Sequence, residues 1–220
     1  NPVLGLPAGT GDAVRVGLQA FPEADLDRDV YIFLGDMGLL TEKVVAQFRQ
    51  SFEKDPCDMM VLTGLYSGPA ETNSYGRIVR VPATDATLAP SGDDRDKVIE
   101  IREYKDILGL DPAAPYQAVY NGRTYAFTQR QLLDIREINT GVFAFQEAAL
   151  RTYIQQIDTD NVQGELMLTD LVQIFNQHQL VVRAAVADSE EEILAFNVKS
   201  VWHQMQSIAR RWVYDTLKDT

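Results

Sequence analysis

Two stretches constrain the fold of this chain more than any others: Val30-Tyr31-Ile32-Phe33-Leu34, closed by Gly35-Asp36, and Met59-Met60-Val61-Leu62-Thr63. A strand with one wet face alternates apolar and polar residues. A strand that is apolar at successive positions is buried on both faces, the situation of a largely parallel sheet between helix layers. Helical spacing appears around these runs. Residues 12–21 put Ala13, Val14, Gly17, Leu18 and Phe21 on one side, with Thr10 or Asp12 as cap, and residues 41–53 put Val44, Val45, Phe48 and Phe52 inward behind Thr41. Further strands are expected at 77–81, 98–101, 140–145 and 181–186, and further helices at 148–157, 169–178 and about 198–217. The strands at 77–81 and 98–101 alternate more, and a polar loop (82–96) joins them. Residues 109–128, rich in Pro, Gly and Tyr, read as an excursion from the sheet. Strands alternating with helices predict an α/β domain: a Rossmann-like, mostly parallel sheet flanked by helices.

Charge and composition narrow the partners. With 20 basic and 32 acidic side chains, the net charge of −12 argues against a nucleic-acid duplex or an anionic membrane surface as partner. No run of about 18 apolar residues is present to cross a bilayer, and the first ten residues lack the features of a signal peptide. The single cysteine, Cys57, cannot form an internal disulfide, so the expected compartment is the reducing cytoplasm. Neighbouring carboxylates argue against a nucleophilic role for Cys57. His178 and His203 lack zinc-ligand spacing.

Several positions could carry chemistry. Asp36 follows a buried strand, at the edge where open α/β sheets bind ligands. It either ends the strand in a turn or supplies an oxygen to a hard cation such as Mg²⁺. Asn197, before the last helix, is either an N-cap or a second oxygen ligand. Tyr75-Gly76 enters a strand through a glycine that makes a turn or lets backbone approach a ligand. Glu103 follows a short strand, and Asn139 opens another. Gly9-Thr10-Gly11 precedes a helix, where a phosphate site and a plain helix start look alike.

The order of these pieces is more specific than any one of them. Gly9-Thr10-Gly11-Asp12, Gly35-Asp36, Tyr75-Gly76-Arg77-Ile78-Val79-Arg80, Glu103-Tyr104-Lys105-Asp106, Glu137-Ile138-Asn139-Thr140-Gly141, the run from Asn161-Val162-Gln163-Gly164-Glu165 to Thr169-Asp170, and Phe196-Asn197 follow one another in a series. This series resembles the bacterial UDP-N-acetylglucosamine pyrophosphorylases, the uridylyltransferase domains of bifunctional enzymes that also acetylate glucosamine 1-phosphate. The resemblance implies a GT-A-like sugar nucleotidyltransferase fold. It also implies the formation of UDP-N-acetylglucosamine, a cell-wall precursor, from UTP and N-acetylglucosamine 1-phosphate, with Mg²⁺ as cofactor. Asp36 and Asn197 would then hold the metal. Gly76, Glu103 and Asn139 would hold the amino-sugar, Tyr75 and Thr169 would line its pocket, and Gly9 and Thr10 would approach the nucleoside. The sugar-binding half would span about 64–197, with the last helix at about 198–217. The family's opening strand and its Gly-rich loop bearing Arg and Lys are absent from residues 1–220, so this partial domain is expected to be inactive alone. Another base or sugar specificity, or an inactive sugar-nucleotide-binding domain, are the alternatives.

Overall fold

A computed structural model describes residues 8–21, 27–196 and 199–218. Asn197 and Val198 lie outside the described residues, so the metal-ligand expectation for Asn197 falls there too.

The sheet is built on β7 (Glu137–Gln146), the longest of its strands. The strand order is β4 (Val98–Arg102), β3 (Arg77–Arg80), β7, β2 (Met59–Leu65), β8 (Val182–Val186), with β1 (Asp29–Ile32) also paired to β7. Among the described residues only β2 and β8 run parallel, while β7 runs antiparallel to β1, β2 and β3. The expected mostly parallel sheet is therefore a mixed one. Local sequence reports burial on two faces but not direction, and a helix layer on each face buries antiparallel strands equally well.

Burial of both faces holds for β2. Met59 and Val61 join a core containing Leu150, Phe145 and Phe175, while Met60 and Leu62 join an opposite core containing Val44, Phe48 and Phe52. Side chains alternate across a strand, so an all-apolar strand feeds two cores. The first core is closed by α1 (Thr10–Leu18), α5 (Glu147–Tyr153) and α6 (Leu171–Gln177), and the second by α2 (Glu42–Lys54). Thr41 caps α2 as expected, accepting a hydrogen bond from the Val44 amide at 3.3 Å. β1 departs from expectation, since its residues are exposed or half-buried.

Strands β3 and β4 are buried almost throughout rather than alternating. The excursion at 109–128 contains a hairpin, β5 (Tyr116–Tyr120) and β6 (Arg123–Phe127), turning at Asn121 (φ 48°) and Gly122 (φ 71°). Positive φ at two central residues is what Asn-Gly favours in a tight hairpin. A second lobe core of Val79, Val81, Ile99, Ile107, Ala118, Tyr125 and Leu132 holds this hairpin to α3 (Tyr104–Leu108) and α4 (Gln129–Asp134). The 82–96 loop joins the same lobe. Arg123 reaches Asp85 at 2.7 Å, and the Ala86 amide donates to the Thr124 carbonyl. The final helix, α7 (Lys199–Leu217), packs Met205 and Ile208 on Leu39 and Leu194. Among the described residues no helix is long and apolar enough to cross a membrane.

Candidate active site

A cavity of about 730 Å³ opens beside the sheet, lined by Asp36, Tyr75, Gly76, Glu103 and Asn139 together with Tyr66, Ser67, Glu190 and others. These five expected site residues come from just past the end of β1, the entry to β3, just past the end of β4 and near the start of β7. Ligand groups in open α/β sheets collect at such strand ends.

An irregularity in β7 places Asn139. Leu62 pairs with Val142 and Thr63 with Asn139, so Thr140 and Gly141 form a bulge opposite β2. Bulges bend a strand and re-aim its side chains. The Thr140 hydroxyl donates to the Leu62 carbonyl at 2.6 Å, and Gly141 takes a φ of 78°. A Cβ at Gly141 would come within 2.2 Å of Leu34 Cδ1, so glycine is needed for both the turn and the contact. The Gly141 amide donates to Asn139 Oδ1 and the Asn139 amide to the Gly76 carbonyl, each at 2.9 Å. Asn139 and Gly76 are thereby one rigid wall.

Glu103 is held against that wall. Burial raises its pKa first, with Asp106 adding to the rise, while Thr169 and Arg77 oppose it. Its position beneath Gly76 leaves a carboxylate and a carboxamide facing the same space, acceptor and donor for sugar hydroxyls and amides. Tyr75 packs against Tyr66, with ring centroids 6.2 Å apart and the planes tilted by 55°. Its pKa is raised by burial, then by Glu190, Tyr66 and Asp36.

Asp36 Oδ1 is buried without a hydrogen-bond partner. A buried carboxylate oxygen with no donor is costly, and a hard cation is the partner that oxygen chemistry suits. Among the described residues no group of three or more His, Cys, Asp and Glu could hold a metal ion. Magnesium commonly uses only one or two protein ligands beside substrate phosphates, so the residues present fit it.

The remaining expected residues lie elsewhere. Thr169 lines a second cavity of about 700 Å³, which shares Glu103 with the first. Gly9 and Thr10 line neither. They dock on the 166–168 segment: Thr10 Oγ1 accepts from the Leu168 amide at 2.9 Å, and a Cβ at Gly9 would meet the Leu166 carbonyl at 2.5 Å. The Asn161 to Glu165 loop is closed by Asn161, whose Oδ1 accepts from the Gln163 and Glu165 amides.

Tyr66, Ser67 and Glu190 were not singled out by sequence. The Ser67 amide donates to Glu190 at 3.2 Å, and the Tyr66 hydroxyl lies 2.8 Å from that of Thr72. The available signal was Tyr66-Ser67-Gly68 at the carboxyl end of buried β2, the same rule that flagged Asp36. No position signal exists for Glu190, which reads as one acidic residue in a charged run.

The chain is 37% identical over 165 residues to the bifunctional protein GlmU of Micrococcus luteus, covering 74% of this chain and 27% of that protein. It is 33% identical over 189 residues to GlmU of Streptomyces griseus (86% and 32%) and 32% identical over 191 residues to GlmU of Mycobacterium avium (87% and 31%). The chain thus spans about a third of the length of the curated relatives it matches. No protein-family model matches it. In fold it is similar to a UDP-glucose pyrophosphorylase complexed with UDP-glucose (TM-score 0.55, 11% identity, 94% of this chain and 64% of the other). It is also similar to a CMP:2-keto-3-deoxy-manno-octonic acid synthetase complexed with CTP (TM-score 0.53, 14% identity, 91% and 68%). The architecture is that of the Rossmann-type, GT-A-like nucleotidyltransferases.

Proposed function

We propose, from the premise that this chain resembles a pyrophosphorylase-type domain of GlmU, that it is the sugar-binding and metal-binding part of a sugar-1-phosphate nucleotidyltransferase. The reaction joins a nucleotide to N-acetylglucosamine 1-phosphate, with UTP as the nucleoside triphosphate, in the cytoplasm. A phosphate oxygen of the sugar phosphate forms a bond to the α-phosphorus, and the bond to the departing pyrophosphate breaks.

The carrying observation is the convergence of Asp36, Tyr75, Gly76, Glu103 and Asn139 on one cavity, with an unpartnered buried oxygen on Asp36. Glu103 and Asn139 would orient the sugar through its hydroxyl and acetamido groups, and Tyr75 would cover it. Transfer of this type depends on positioning and on neutralising phosphate charge. Asp36, with Asn197, would hold Mg²⁺, which when bound supplies that neutralisation.

One observation favours a second reading, a domain that binds a sugar nucleotide without turning it over: among the described residues no Lys or Arg lines the cavity. Pyrophosphate release is the deciding assay. The product of the intact gene is given a panel of nucleoside triphosphates with N-acetylglucosamine 1-phosphate or glucose 1-phosphate, with and without Mg²⁺. Pyrophosphate released from UTP and N-acetylglucosamine 1-phosphate supports the first reading. Thermal stabilisation by UDP-N-acetylglucosamine without pyrophosphate supports the second. Neither effect overturns both.

A further inference from the structure

Arg77 is completely buried, with 0% of its surface exposed. Sequence gives little reason for this, because an Arg in a short strand is ordinarily a solvated residue. Among the described residues its guanidinium forms no hydrogen bond to a carboxylate. Instead it donates to Asn73 Oδ1 at 2.9 Å, to the Asn73 carbonyl at 2.7 Å and to the Tyr75 carbonyl. Asn73, itself 1% exposed, accepts the Tyr75 amide at 3.2 Å on the same Oδ1. On another side the guanidinium carbon stands 5.8 Å from the Tyr104 ring centroid. Every one of these partners adjoins the cavity wall. Asn73 immediately precedes, and Tyr75 belongs to, the segment Ser74-Tyr75-Gly76 that faces the cavity, and Tyr104 follows Glu103.

A buried cation is costly, and it needs several donors satisfied at once. A planar guanidinium with five N–H groups can grip carbonyls in two directions. A lysine ammonium is a point charge and cannot span them. Burying a charge so that backbone oxygens of one loop converge on it fixes that loop's path, and the Asn139-to-Gly76 hydrogen bond transmits the same constraint to β7.

We propose that Arg77 is the positioning residue of the sugar-phosphate site: it touches no substrate, and it sets the distance between the Tyr75-Gly76 segment, Glu103 and Asn139. This rests on the functional reading above, and it adds a specific division of labour. Arg77 governs the sugar half and leaves the nucleotide half alone.

Binding of N-acetylglucosamine 1-phosphate and of UTP is measured by calorimetry on the product of the intact gene and its Arg77→Met and Arg77→Lys variants. Steady-state constants are added where turnover is present. Arg77→Met is expected to weaken sugar-phosphate binding tenfold or more and to change UTP binding and kcat less than threefold. Arg77→Lys should fall between it and the parent. If Arg77→Met does not fold, Asn73→Ala, which removes one acceptor and leaves the charge, is expected to show the same selective loss. Equal sugar-phosphate binding in folded Arg77→Met, or in Asn73→Ala where Arg77→Met does not fold, overturns the inference. So does a parallel loss of sugar phosphate, UTP and kcat. A parent protein that binds no sugar phosphate at all overturns the functional reading and this inference together. Tight binding by the parent that the variants retain overturns this inference alone.

Discussion

The Glu103 carboxylate occupies the space a side chain at Gly76 would need. A Cβ there would stand 3.0 Å from Glu103 Oε1, 3.2 Å from Oε2 and 3.2 Å from Ile101 Cγ2. Gly76 has no positive φ, so the backbone would accept alanine without strain. The obstacles are the carboxylate and, at the same distance as its Oε2, the Ile101 methyl, of which the carboxylate is closer. Gly76→Ala is therefore expected to displace Glu103 while leaving the fold intact. Sugar-phosphate affinity should fall about tenfold, equivalent to about 1.4 kcal/mol, with little change in Tm. Calorimetry beside a thermal melt distinguishes this from general destabilisation, in which both would change together.

Asp36→Asn separates metal binding from folding. The parent keeps a buried carboxylate oxygen without a partner, so neutralising it removes a desolvation cost and should not lower Tm. Mg²⁺ is expected to raise the Tm of the parent and to leave that of Asp36→Asn unchanged, with pyrophosphate release reduced at least a hundredfold. An Mg²⁺-dependent Tm in the variant equal to the parent's would remove Asp36 from the metal site.

Asp170 makes stability depend on pH. Its carboxyl is pushed up to about 7, first by burial and then by Asp158, Glu103 and Asp106, with Arg102 pulling the other way. Unfolded, it titrates near 3.8. Between those values the folded chain holds a proton that the unfolded chain has released, so stability falls as pH rises from about 4 to 7. The Tm of Asp170→Asn should match the parent's near pH 4 and exceed it at pH 7. A difference between the two that stays constant across that window would show that Asp170 titrates normally.

Asp85 fastens the 82–96 loop to the hairpin. Its carboxylate accepts from Arg123, from the Thr87 amide and hydroxyl, and from the Ala89 amide. These donors hold its pKa well below the usual carboxylate range, the Thr87 hydroxyl first and Arg123 second. Asp85→Ala is expected to speed amide exchange in residues 82–96 and along β6 while leaving β2 and β7 protected. Sugar-phosphate binding should be unchanged, because neither segment lines the cavity that contains Asp36. Faster exchange throughout the sheet would mean that the lobe and the sheet unfold as one unit.

Much of the architecture was legible locally. Two-sided burial of β2 follows from five consecutive residues, and the α2 cap from Thr41 alone. The hairpin did not stand out, because Pro and Tyr around Asn121-Gly122 make residues 109–128 look only like an excursion from the sheet. The buried Arg77 was not legible. Two of its three acceptors are backbone oxygens, at Asn73 and Tyr75, and a carbonyl carries no residue-type signal.

Sequence by itself determined the α/β layering, the resemblance to GlmU and the identity of the residues that could carry chemistry. These depend on residue types and local spacing, which the chain states directly. Tertiary structure alone decided that the sheet is mixed. It also decided that Asp36, Tyr75, Gly76, Glu103 and Asn139 share a cavity, while Thr169 lies behind Glu103 and Gly9 and Thr10 dock away from it. Strand direction, the bulge at Thr140-Gly141 and the reach of a side chain across neighbouring strands are set by register between distant segments, and local periodicity holds no record of register.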